Sequence, residues 1–186
     1  MPDGKLFATF VHLVGVLAVT GASTTFILVL MMMRRSETAQ DVRLWSSLAV
    51  LAERAFPFAT LVLFLSGGYL VSELDFSWSE GWVAASAVSL ALMAVAALKI
   101  NTLKMNAIHE SAEDARDGPL PPELSAMVRD RVLTAVTYGI TIGQLGIIWN
   151  MTTKPGDVQA LVAVVLTLLA GVAVALPLRA ERPATA

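Results

Sequence analysis

Apolar runs long enough to cross a lipid bilayer decide what this chain can fold into. In hydrocarbon every backbone N–H and C=O must be satisfied within the structure, so an unbroken run of about 20 apolar residues is read as a spanning α-helix. Five such runs occur, at residues 6–33, 45–71, 82–98, 132–152 and 158–178. The expected fold is therefore all-α, a polytopic membrane helix bundle of five transmembrane helices in a single integral membrane domain over residues 1–186. Composition agrees, with 56% hydrophobic residues, 15% charged residues and a mean hydropathy of +0.69. The first run continues past its lysine-flanked start without a small-residue cleavage site, and it reads as a retained span.

Between the third and fourth runs, residues 99–131 read as a cytoplasmic helical hairpin. KINTLKMNAIHESAE contains no breaker, Asp117-Gly118-Pro119 forms a turn, and Pro121-Pro122-Glu123 opens the next helix. Basic residues set the orientation. Arg34, Arg35, Arg43, Lys99, Lys104, Arg116, Arg129, Arg131, Arg179 and Arg182 fall on one side, against Lys5 and Lys154 on the other. This places the N-terminus out and the C-terminus in. In the second run, Glu53, Arg54 and Pro57 interrupt the apolar pattern, and a minimal span begins near Ala55.

The fourth run is the most patterned. At about 100° per residue, Asp130, Thr134, Thr137, Thr141 and Gln144 share roughly a quarter of the helix circumference, while Ala135, Gly139, Gly143 and Gly146 take the other side. Small residues admit a close neighbour, and hydroxyl and amide groups in hydrocarbon need partners, so both faces should meet protein. The third run carries a ridge of Ala84, Ala87, Ala91 and Ala94, and the fifth carries Ala163, Thr167 and Gly171.

Composition also excludes functions. A net charge of −2 with no basic block argues against nucleic acid, and the absence of cysteine removes disulfides, thiolate catalysis and thiolate metal sites. No nucleophile with a neighbouring base, no phosphate loop and no paired catalytic carboxylates occur, so no catalytic residues and no enzymatic activity are expected. His12 is the only histidine inside a span. Counted from the outer interface, Ser66, Ser86, Ser89 and Gln144 lie at a similar depth, so that a polar site could gather His12, Ser66, Ser89, Thr134, Thr137, Thr141 and Gln144. The alternative is that each of these groups only hydrogen-bonds a neighbouring helix. Glu53, Arg54, Asp130 and Arg131 form a candidate charge cluster in which Arg54 pairs with Asp130 and Glu53 with Arg131, the alternative being that they snorkel to the cytoplasmic interface. His109 with Glu113, and Glu110 with Asp114, have metal-ligand spacing on an exposed helix, but two ligands read more simply as a solvated face, and no metal is expected. His12 and His109 fall at opposite sides of the membrane and cannot ligate one haem, so no cofactor is expected either.

The chain resembles a family of uncharacterised bacterial integral membrane proteins, a domain of unknown function. The likeness rests on VHLVGVLAVTGA at Val11–Ala22, SGGYLV at Ser66–Val71, FSWSEGW at Phe76–Trp82 and the MTTKP turn at Met151–Pro155. More loosely, a histidine near the start of the first span followed by glycine is similar to copper-resistance D-like membrane proteins, whose further intramembrane histidines this chain lacks. The resemblance implies a multi-pass protein of the bacterial inner membrane, with the lipid bilayer as its surroundings. Three functions remain open: an accessory or structural subunit whose small-residue ridges bind other subunits or a second copy, a small-molecule or ion transporter or sensor with a polar site around His12 and Gln144, and a haem- or quinol-associated redox protein.

Overall fold

The structure is a computed structural model, and it describes residues 3–178. Arg179 and Arg182 of the basic tail lie outside the described residues. The elements are α1 (Gly4–Arg35), α2 (Ala39–Glu73), α3 (Gly81–Ala96), a π turn (Ala97–Thr102), α4 (Leu103–Asp114), α5 (Pro122–Val128), α6 (Arg131–Thr153) and α7 (Asp157–Leu178). Five helical rods are long and apolar enough to span a membrane, with α3, the π turn and α4 counted as one and α5 continuing into α6.

The structure refines two of these elements. The residues before Ala55 belong to the same helix as the second span. Thr38 caps α2, accepting from Asp41 N, and the helix runs unbroken through Pro57 to Glu73. The third rod does extend past residue 98, but through a π turn that no glycine or proline signals.

The bundle has two parts. Toward one end, which carries Arg34, Arg43, Lys104, Arg129 and Arg131, the last turns of α1 and first turns of α2 pack with α4, α5 and the start of α6. Leu30, Met33, Val42, Ala49, Met105, Ile108, Ala112 and Leu133 are buried together there. Arg43 ties this end by donating to the carbonyls of Ala112 (3.0 Å) and Ala115 (2.8 Å) and to Asp117 (3.0 Å), thereby satisfying carbonyls orphaned at the end of α4. Gly118, at φ +139°, sits in the turn whose carbonyl accepts from Ala39 N at 3.1 Å. His109 faces Ser46 at 3.0 Å and Arg43 takes Glu113 at 3.7 Å, so the expected solvated face of α4 is partly a packing face.

The rest of the bundle is girdled by exposed Leu13, Leu17, Phe58, Leu61, Leu92, Leu145, Leu161 and Leu169. Here α6 and α7 are the tightest pair. A Cβ at Gly146 would lie 2.7 Å from Val164 Cα, and one at Gly171 would run into the Tyr138 carbonyl. The small-residue faces of the fourth and fifth runs therefore meet each other, as backbone approach between membrane helices requires. On α3, by contrast, Val83, Ser86 and Met93 are buried while Ala91 of the alanine ridge is exposed. At the far end Trp82 is buried. Its ring meets Phe76 edge-on at 5.0 Å, and its Nε1 donates to Glu80 at 2.7 Å. The Ser77 backbone N–H and that indole N–H hold the Glu80 carboxyl below the usual carboxylate range.

Gly146→Val should overpack this interface and cost about 1–3 kcal/mol. Gly21→Ala, at a helical position with open space around it, should leave the melting temperature in detergent unchanged or raised. Equal melting temperatures for the two variants would contradict the packing described.

Candidate functional site

The polar stripe of α6 is buried against α1 and the π turn, and each member has a defined surrounding. Gln144 Nε2 donates to Ser23 Oγ at 2.7 Å. The Thr141 hydroxyl donates to the carbonyls of Thr137 (2.8 Å) and Ser23 (3.4 Å), and Thr137 Oγ1 donates to Asn101 Oδ1 at 3.4 Å. Thr134 accepts from Arg34 Nη1 at 2.9 Å, and Arg34 is itself buried at the end of α1. Arg34, counted from sequence among the basic residues that set the orientation, is thus an internal contact; its place in an antiparallel partner of α6 could not be seen in a single run.

These residues do not form one layer with His12. Ser23 matches Gln144 and Arg34 matches Thr134, so α1 and α6 run antiparallel in steady register. His12 lies eleven residues before Ser23, about 16 Å along α1 at 1.5 Å per residue, beyond the end of α6. Counting depth from the ends of the apolar runs failed because α1 overhangs α6. His12 instead faces Ser66 on α2, with Nδ1 3.0 Å from Oγ, and packs against Gly67. The Ser66 hydroxyl also lies 2.6 Å from Val62 O; when it donates there, His12 Nδ1–H is the donor in this pair. Ser89 is partly buried on α3, apart from this pair, while its neighbour Ser86 has a buried hydroxyl without a partner.

The charge cluster is likewise re-paired. Asp130 caps α6 by accepting from Leu133 N at 2.6 Å, and it takes Lys104 Nζ at 2.9 Å. Arg54 and Arg131 are exposed. Spacing along one helix could not reveal that the α4 rod lies between α2 and α6 at this level.

Glu53 separates from that cluster and becomes the centre of a site. A cleft of about 40 Å³ opens between α1, α2, the π turn and α6, lined by Ser23, Glu53, Phe56, Pro57, Asn101, Thr102, Thr137 and Thr141 among others. That volume exceeds the roughly 10–15 Å³ needed for one water. Glu53 Oε1 is buried there without a hydrogen-bond partner, and the Thr102 hydroxyl lies beside the carboxyl. Two backbone irregularities meet at this level. Pro57 has no N–H, so the Glu53 carbonyl loses its helical donor. The π turn rotates Asn101 and Thr102 toward α6, in keeping with the frequent placement of such turns at functional sites. Beside the cleft, where α2 and α3 scarcely touch, a groove of about 260 Å³ lined by Phe56, Pro57, Thr60, Leu61, Phe64, Ala94 and Leu98 faces outward.

A family model described as "Predicted integral membrane protein (DUF2269)" matches residues 6–155. The chain belongs to that family. No curated protein and no solved structure matches it. The family's description carries the architecture, and the looser copper-resistance likeness is no part of the match. The four motifs that carried the resemblance meet in pairs in this family member. His12 of the first packs on Ser66 and Gly67 of the second. Lys154 of the MTTKP turn, left-handed at φ 46°, lies 4.4 Å over the ring of Phe76 in FSWSEGW. Asp157, just after that turn, accepts from Gly81 N at 3.0 Å. Glu53 lies outside all four motifs.

The re-paired cluster has a measurable consequence. Asp130→Ala removes a helix cap and an ion pair, and should cost about 1–2 kcal/mol. In double-mutant cycles, Asp130 should couple to Lys104 by about 0.2–1 kcal/mol and act additively with Arg54. Coupling to Arg54 with none to Lys104 would contradict the structure.

Proposed function

We propose that this integral membrane protein is a non-enzymatic binder of the transporter or sensor class, and that its ligand site is the Glu53 cleft. The observation that carries the reading is the buried Glu53 Oε1, which has no hydrogen-bond partner among the described residues although its cleft is roomy enough for water. A carboxyl so placed costs free energy that a packing role does not require. A proton, a cation or a hydrogen-bond donor supplied from outside would offset that cost. The site is shifted from the one anticipated around His12 and Gln144, because those two residues are engaged with Ser66 and Ser23. The accessory-subunit reading relied on small-residue ridges, and the ridge of α7 is already used by α6. The basic end of the bundle faces the cytoplasm in this proposal, with the N-terminus on the opposite side, in keeping with the excess of basic residues there.

The chain contains no cysteine, so single-cysteine variants can be made directly. Thr102→Cys and Thr141→Cys in the cleft should react with a small hydrophilic methanethiosulfonate reagent, and Leu145→Cys on the apolar girdle should not. Unreactive cysteines at both cleft positions would sink the proposal, since they would show a dry packing seam.

A further inference from the structure

We infer that the Glu53 cleft and the neighbouring groove together hold one membrane lipid, with a primary ammonium head group on Glu53 and an acyl chain between α2 and α3. This rests on reading the Glu53 cleft as a ligand site. The two spaces are continuous, sharing Phe56, Pro57 and Leu98 as walls. At the polar end the unfilled group is an acceptor, Glu53 Oε1, on a helix that Pro57 leaves one backbone donor short. No lysine, arginine or histidine lines the cleft. The head group must therefore donate hydrogen bonds and carry positive charge, which a primary ammonium does and a quaternary ammonium, lacking N–H, does not.

The apolar end fits a chain. From Phe56 to Phe64 the groove follows α2 for about 12 Å at 1.5 Å per residue, and its outer side opens between two helices that barely meet. Entry from the bilayer is direct. The level of the head group is also that of a lipid. Arg54 and Lys99, both exposed, stand on α2 and the π turn at the height of Glu53. Long cations in such positions reach the head-group region, where they can take the phosphate of the same lipid.

Native mass spectrometry of the detergent-purified protein tests this with phosphatidylethanolamine, phosphatidylcholine and phosphatidylglycerol of identical acyl chains. Wild type should retain the ethanolamine lipid at least about tenfold better than the choline lipid. Glu53→Gln should remove that preference, and Ala94→Phe should weaken retention of the ethanolamine lipid by filling the groove. Equal retention by wild type, or a preference that survives Glu53→Gln, would overturn the inference. So would Glu53-dependent binding of dodecylamine without binding of the ethanolamine lipid, which would make the ligand a free amphiphilic amine. Labelling of Thr102→Cys separates the two levels. A reactive cysteine with no lipid preference leaves the wet cleft standing and removes the lipid, whereas an unreactive one removes the reading beneath it.

Discussion

The close approach of α6 and α7 organises the bundle. Gly146 and Gly171 let the two backbones approach closely, and Gly143 makes room for the Leu168 and Met93 side chains; once α7 occupies that face, the threonines and Gln144 of α6 are turned toward α1 and the π turn. In hydrocarbon those groups cannot be left unpaired. Ser23, Asn101 and Arg34 answer them, and each answering residue fixes the height of its own helix against α6. The polar cleft is thus a product of packing on the opposite side of the same helix.

What distinguishes the level of Glu53 is that regular structure fails twice there. Pro57 removes a donor from α2, and the π turn widens the rod that faces it. Irregular backbone within a membrane is tolerated where it is buried in protein or lines a water-filled cavity. The Glu53 carboxyl and two side chains delivered by a π turn converge on one small space. Elsewhere the Ser86 and Thr60 hydroxyls and the amide oxygens of Gln144 and Asn150 also lie buried without partners, but they bring no charge with them.

The five spans were legible because length and hydropathy alone force helices in lipid, and the two faces of α6 were legible because both lie on one helix with a fixed period. The hairpin after the third span was announced by Asp117-Gly118-Pro119 and by Pro121-Pro122. What the sequence could not convey was relative height. The overhang of α1 separates His12 from Gln144, and the position of the α4 rod gives Asp130 to Lys104 rather than to Arg54. Nor did any residue signal the π turn, since its extra residue is accommodated by packing. Glu53 was visible as an anomaly in an apolar run, but its lack of a partner is a property of four helices at once.

The central claim is that the Glu53 carboxyl faces a hydrated space inside the bundle. Infrared difference spectroscopy of the wild type against Glu53→Gln in lipid, recorded in H₂O and in D₂O, addresses it most directly. At a pH low enough to protonate Glu53, the account predicts a carboxyl C=O stretch that is present in the wild type, absent from Glu53→Gln, and shifted promptly on transfer to D₂O. A Glu53 signal that does not respond to D₂O would place the carboxyl in a dry seam and contradict it.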